Sequence, residues 1–504
     1  MNEKENKGMN VLLIMTDQHR SDCLGCMGHK HIHTPNIDRI AREGVVFENA
    51  FCQSPVCMAS RGSLFTGRYP SAIRIRGMGI LPPQETTFPE ILRRNGYHTG
   101  AFGKVHLTPE QYTLKQLKSD IPILDWRKFA SDAVISPIPD DPFKNNYGFE
   151  TEVGYEDILH GNFNAWLRKR KPELLERKPE RFSADGPSDL WVSPYPSEFH
   201  PTTFIASEAE SYILSQRDAP SPWMTFCSFV APHHPFEAPQ DQLDRYDRKS
   251  IPDALLKGGV DKSSVPPRLT DAWNTSAWDK YPDEIRHRII WHYLASISLV
   301  DDGVGRLLSA LERSGQMDNT IIIFTSDHGE HLGNHGMLKK DSIHYDETLR
   351  VPLIISVPGA TGGRRVKGLV EMTDLHPTLL GLLEIPINPG VQGIDWSVQL
   401  RNGGEIARDD IYSDMFDLTP QKFGKFKCPY SATQTLRTEK WKLNIYPTAG
   451  QQYGQLFDLE NDPDESRNLY ADPNSRSVRE VMLWKMNSRV HRNTDPLPLY
   501  LTQF

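Results

Sequence analysis

A chain of 504 residues is too long for one simple core and holds two domains, or one large α/β domain with an appendage. Hydrophobic residues make up 38% and charged residues 24%, the values of an ordinary globular protein. A net charge of −8 argues against a general nucleic-acid binder or a membrane-surface protein and leaves room for a local basic pocket.

The first ten residues, "MNEKENKGMN", are polar, and the apolar run behind them, "VLLIM" (11–15), is too short for a signal segment or a membrane span. A cytoplasmic protein is therefore expected. Further short runs rich in Val, Ile and Phe follow: "TGAFG" (99–103), "WMTFCSFV" (223–230), "TIIIFT" (320–325) and "VPLIISV" (351–357). Runs apolar on both faces fit buried strands of a mainly parallel sheet with helices on each side. The helices between them carry start and stop signals. In "TPNIDRIAREG" Thr34 reads as the N-cap, Pro35 as the first helical residue and Gly44 as the stop. "TFPEILRRNG" opens with a Thr87/Glu90 capping box and ends at Asn95-Gly96. Residues 105–200, rich in Pro, Lys, Asp and Trp, read as insertions shaping one side of a cleft. Residues 283–313 read as one helix feeding the strand at 320. From about 385 shorter alternating segments, "KWKLNIY" (440–446) and "GQLFDL" (454–459), precede a helix near 476–490. The expected fold class is α/β. A large, mainly parallel sheet flanked by helices on both faces occupies residues 1–384, and a smaller α+β subdomain with an antiparallel sheet occupies 385–504.

The polar residues that follow the strands carry the functional signal. Asp17 and Gln18 follow the first, Lys104 and His106 the second, His233 and His234 the third, Asp327 and His328 the fourth. Carboxyl ends of strands in an open parallel sheet form the ligand crevice. One aspartate there is often only a helix cap; four polar strand ends together indicate an active site. Asp17 and Asp327 would bring two negative charges into a partly buried site, and a cation resolves that conflict. With Gln18 and His328 the donor set is mostly oxygen, which favours calcium, magnesium or manganese over structural zinc, the one nitrogen leaning toward manganese.

Six cysteines, Cys23, Cys26, Cys52, Cys57, Cys227 and Cys428, are sparse for a disulfide framework. Cys23-x-x-Cys26 with Cys52 and Cys57 allows a zinc reading, against which the four-residue spacing of the second pair counts. Cys57 opens "CMASRGSLFTG" after Ser54-Pro55, so free backbone N–H groups there can face an anion, and Arg61 lies one turn on. A small buried thiol is the plainer reading of Cys57. A helix terminus, an arginine, a lysine and a cation converging on one point suit a tetrahedral oxyanion ester better.

Cys57-Met58-Ala59-Ser60-Arg61 resembles the sulfatase signature C-x-(P/A)-x-R, and "NVLLIMTDQ", "HTPNIDRIAREGVVFENAF", "FTGRYP", "GYHTGAFGK", "SDHGE", "YDETLRVPLI" and "LFDLENDPDESRNL" resemble further blocks of type I sulfatases in the alkaline-phosphatase superfamily. The resemblance implies hydrolysis of a sulfate ester, from a small molecule or a saccharide, by a formylglycine made from Cys57. A maturation enzyme is then a required partner, and neither nucleic acid nor membrane is. A hydroxyl of the hydrated aldehyde would attack sulfur as the alcohol leaves; deprotonation of the second hydroxyl would then expel sulfate. Asp17, Gln18, Asp327, His328 and modified Cys57 would hold one divalent cation, calcium first, with manganese or magnesium as alternatives. Arg61 would stabilise the hydrate, and Lys104 would contact the hydrate or the sulfate. His106 would act as the base that expels sulfate. His233, with His234 as its rival, would touch the sulfate or protonate the leaving oxygen. Lys340 would be a second sulfate contact.

Asp17-Gln18 stands where many sulfatases have Asp-Asp, and Asp327-His328 where they have Asp-Asn. That combination also resembles phosphonate monoester hydrolases and choline-sulfatase-like members, so a phosphonate monoester or phosphodiester is the rival substrate. An unconverted anion-binding protein is the non-enzymatic alternative. Trp166, Trp191 and Trp396 read as packing anchors or sugar contacts, Arg74 and Arg76 as substrate readers or a solvated edge, and Asp346 and Glu347 as a helix start.

Overall fold

Fifteen strands carry the architecture, in a computed structural model that describes residues 8–82, 84–108, 146–156, 161–181, 189–251, 261–340, 342–417 and 431–497. Cys428 and much of the 105–200 insertion region lie outside the described residues. In chain order they are β1 (Asn10–Asp17), β2 (Val45–Phe51), β3 (His98–Gly103), β4 (Thr151–Gly154), β5 (Glu180–Arg181), β6 (Leu190–Val192), β7 (Trp223–Pro232) and β8 (Phe236–Ala238). They continue with β9 (Thr320–Ser326), β10 (Arg350–Ser356), β11 (Arg364–Glu371), β12 (Asp410–Asp417), β13 (Ser431–Thr438), β14 (Trp441–Ile445) and β15 (Gly454–Asp458).

Eight strands form the main sheet in the order β11-β2-β10-β9-β1-β7-β3-β4. All pairings are parallel except those of β10, which runs antiparallel to both β9 and β2. The five expected strands are present. β2 and β11, whose sequences mix polar and apolar residues, extend the sheet beyond them.

Every residue of β1 is buried, because strand alternation sends its side chains into two cores. Val11, Leu13 and Met15 join Met58, Leu64, Phe65, Leu92 and Leu379 on one face. Leu12 and Ile14 join Ile37, Phe204, Ile205, Val304 and Leu307 on the other. Each such aliphatic side chain contributes about 1.5–3 kcal/mol on leaving water, which fixes the sheet centre and so the place where β1, β7 and β9 end. The helix Asp283–Ser314, 32 residues long, covers the second face, as expected from its sequence. A separate antiparallel sheet, β12-β13-β14-β15, and the helix Arg476–Arg492 form the C-terminal layer.

Two capping expectations are corrected. The helix Pro35–Glu43 has no cap from Thr34, whose hydroxyl accepts from Gly25 N and donates to Asp38. Asp301, reaching across from the long helix, receives the N–H groups of Asn36 (3.0 Å) and Ile37 (2.8 Å) instead. At Phe88–Arg94 only half of the capping box forms. Thr87 accepts from Glu90 N, while the Glu90 carboxylate turns to Arg93 and Arg94.

Candidate active site

Cys57 is the first residue of the helix Cys57–Thr66, all ten of whose residues are buried. Val56 before it is extended, and the helix closes on Gly67 in the left-handed region (φ 67°), its N–H returning to Ser63 O. The helix start thus faces the carboxyl ends of β1 and β9. Asp17 ends β1; Asp327 and His328 follow β9. Gly329 behind them cannot be replaced: a Cβ there would lie 1.9 Å from the Glu347 carbonyl oxygen. Lys104 leaves β3 through Gly103 (φ 95°), where a Cβ would lie 2.0 Å from Ser228 O.

Asp17, Cys57, Asp327 and His328 each bring a donor atom within 4.8 Å of all the others, and all four are buried. The Cys57 Sγ lies 3.2 Å from His328 Nε2, 3.2 Å from Lys340 Nζ and 3.7 Å from Asp17 Oδ1. Lys340 Nζ also donates to Gln18 Oε1 at 3.1 Å. Arg61 spans the floor: Nε donates to Asp327 Oδ2 at 2.8 Å, Nη2 lies 3.4 Å from Asp17 Oδ2, and Nη1 donates to Ser228 Oγ at 3.0 Å and to the Lys104 carbonyl. Lys104 Nζ pairs with Asp17 Oδ2 at 2.8 Å.

Burial alone would raise the Asp17 pKa, but Lys104, His233, Lys340 and Arg61 hold it well below the usual carboxylate range. Burial and Asp17 likewise oppose ionisation of Cys57, yet Lys340, Lys104 and His328 bring its thiol below the ordinary value.

The expected residues His106, His233 and His234 gather at the rim. His106, in the left-handed region (φ 52°), has Nε2 3.9 Å from Glu156 Oε2. Burial and the Lys104 charge lower its pKa to about 4, leaving a neutral imidazole at pH 7. His233 and His234 stack at 4.0 Å between ring centroids, and His233 Nδ1 meets the His234 carbonyl at 2.5 Å. Burial lowers the His233 pKa too, and Lys340, Asp17 and Lys104 all act on it.

A family model described as Sulfatase matches residues 9–385, three quarters of the chain. The chain belongs to the sulfatase family. A second model, N-sulphoglucosamine sulphohydrolase, C-terminal, matches residues 333–492. An arylsulfatase of Clostridium perfringens is 29% identical over 515 residues, covering 96% of each chain. An N-acetylglucosamine-6-O-sulfatase of Bacteroides thetaiotaomicron is 25% identical, covering 98% of this chain and 88% of that protein. Among solved structures, the phosphonate monoester hydrolase of Agrobacterium radiobacter superposes with a TM-score of 0.79 at 27% identity, over 98% of both chains. The protein is thus a sulfatase enzyme of the alkaline-phosphatase superfamily, and among its described residues no helix is long and apolar enough to cross a membrane.

The donor set of this sulfatase fits a divalent cation. His328 Nδ1 faces the Gly329 carbonyl at 3.0 Å, which turns Nε2 toward Asp17 Oδ1 (3.5 Å) and Asp327 Oδ1 (3.7 Å), the orientation of a metal-ligating histidine. Gln18 Nε2 donates to Glu330 Oε2, which leaves Oε1 toward the site. Glu330 and Ser228 went unremarked in the sequence: each orients a residue delivered by another element, Gln18 after β1 and Arg61 in the helix Cys57–Thr66, a relation that no spacing records. Among the described residues Cys23 and Cys26 belong to no potential metal cluster, against the zinc reading.

Other sequence expectations resolve locally. Trp166 packs among Phe163 and Phe204, and Trp396 donates to Asp374. Arg76 lies 3.5 Å from Asp414 of β12 and over the Phe416 ring. Asp346 and Glu347 open the short helix Asp346–Leu349, as expected, and also join a buried ionic cluster with Lys442, Arg437 and His335. Trp191 donates to Glu237 beside the His233 rim.

Proposed function

We propose that this sulfatase hydrolyses the sulfate ester of a small molecule or saccharide with position 57, matured from cysteine to formylglycine, as its nucleophile. The observation that carries the reading is Cys57 Sγ held between Lys340 and His328, 3.2 Å from each, above the Arg61-bridged pair Asp17 and Asp327. Asp17, Gln18, Asp327 and His328 would hold one divalent cation, calcium first, and together with formylglycine it supplies the activated hydroxyl. The chain's own residues do the rest. Lys340 and Lys104 bring positive charge to the sulfate oxygens, and Arg61 fixes both carboxylates so that they cannot turn toward the anion. Neutral His106 can accept the proton whose loss expels sulfate. His233 would face the leaving oxygen; burial first, and then Lys340 and Lys104, keep its imidazole neutral, and an anion between those lysines would offset their share. Residues 1–384 would form the catalytic domain and residues 385–504 a separate C-terminal subdomain; a formylglycine-generating enzyme is the implied partner.

The mass of the peptide carrying position 57, from protein made in its own host, tests the reading. An aldehyde or its hydrate is the expected species; unmodified cysteine in active protein would sink the mechanism. Likeness to a phosphonate monoester hydrolase, with Gln18 and His328 at the cation site, supports a second reading: cleavage of phosphonate monoesters or phosphodiesters by the same site. Comparing kcat/KM for 4-nitrophenyl sulfate and 4-nitrophenyl phenylphosphonate decides between them.

A further inference from the structure

A cavity of about 230 Å³ opens beside the rim histidines, with His233 as part of its wall. His233 is also under the direct electrostatic influence of Asp17, Lys340 and Lys104. One side chain therefore lines this cavity and also feels the charges of the anion site.

Tyr155, Trp191 and Tyr195 supply three aromatic walls, and Ile205 and Val230 supply aliphatic ones. Val230 lies near the end of the central strand β7 and is only half-buried, lining the cavity. Polar groups are few. Trp191 Nε1 donates to Glu237 Oε2 at 2.7 Å, which fixes the indole plane. Thr202 N donates to His200 Nδ1 at 3.1 Å, so the ring proton sits on Nε2. That Nε2–H, on a side chain 5% exposed, lies 3.4 Å from Glu237 Oε1 and makes no hydrogen bond. It is a buried donor without a hydrogen bond, next to a carboxylate, and a hydroxyl beside the two could accept from the one and donate to the other.

This chemistry discriminates among alcohols. A saccharide carries a hydroxyl on almost every carbon, and most would lose water without finding a partner here. A flat ring stacks on the aromatic walls, and one polar substituent satisfies His200 and Glu237. We propose that the cavity receives the leaving group of the ester and selects an aromatic alcohol over a sugar. This inference rests on the sulfate-ester reading above.

The full-length enzyme is assayed with 4-methylumbelliferyl sulfate, with inorganic sulfate as a competitive inhibitor. Trp191→Ala should raise KM about tenfold or more, while Trp191→Phe, which keeps a ring, stays within about threefold. The inhibition constant of sulfate, which needs only the anion site, should not move in either variant. Val230→Trp, which fills the cavity, should match the loss in Trp191→Ala and serves if that variant does not fold. An unchanged KM in both overturns the inference. So does a glucosamine 6-sulfate that is the better substrate and loses affinity in step with them. If no sulfate ester is turned over, the sulfate-ester reading fails. Fluorescence titration with 4-methylumbelliferone, the free phenol, then decides the cavity: about tenfold weaker binding in Trp191→Ala supports it, and equal binding overturns it.

Discussion

Arg61 is fully buried and touches two carboxylates, a carbonyl and a hydroxyl delivered by four different strands or the residues just behind them. Removing it leaves Asp17 and Asp327 facing each other without their shared partner. Arg61→Ala should therefore lower the unfolding free energy by about 3–5 kcal/mol, measured by urea denaturation, besides abolishing turnover. Arg61→Lys keeps the charge but not the fork, so it should recover part of the stability and little activity. Asp17, Cys57, Asp327 and His328 were legible in the sequence because each follows an apolar strand or opens a helix. What they touch was not. The resemblance implies that Lys104 contacts the hydrate or the sulfate; its ammonium sits on Asp17 Oδ2, a pairing set by how far β3 lies from β1.

At the scale of elements, the helix Pro35–Glu43 shows how a local signal loses to a tertiary one. Thr34 has the right residue type and place, but the free N–H groups of that helix meet a carboxylate from a helix far along the chain. Burial pushes the Asp301 carboxyl up to about 6, although the backbone donors of Ile37 and Asn36 pull it down. Its folded pKa lies above the ordinary value near 4, so the folded protein keeps a proton that the unfolded chain releases. This contribution to stability is full below about pH 4 and is lost as pH rises through about 6, on the order of 3 kcal/mol in all. Asp301→Asn has no such titration. Urea unfolding at pH 4.5 and 7 should show the variant gaining on the wild type as pH rises; parallel behaviour would refute the assignment. Strand direction was the other loss. An apolar run such as that of β10 reads the same forwards and backwards, so its antiparallel course, and the edge it gives β2 and β11, could not be read from composition.

Across the whole molecule, the C-terminal helix is tied to the main sheet by buried charge. Arg489 bonds Glu371 at the end of β11 and the Tyr69 hydroxyl, each at 2.7 Å, and lies 3.3 Å from Asp410 of β12. Arg408 pairs with the same glutamate at 3.1 Å. Arg489→Ala strips one of two cations from a buried carboxylate, and thermal denaturation should show a loss of about 3 kcal/mol. The antiparallel C-terminal sheet was foreseeable from its alternating segments, whereas this network joins residues with no shared local pattern. The central position of β1 sets a timetable. Its hydrogen-bonding partners, β7 and β9, are made roughly two hundred and three hundred residues later, some 10 to 60 s at about 5–20 residues per second of synthesis. Until Asp327, His328 and Lys340 emerge, nothing encloses the Cys57 thiol; afterwards the fold seals it. Any chemistry performed on that thiol by another protein has the nascent chain as its working substrate, and a window that closes with translation.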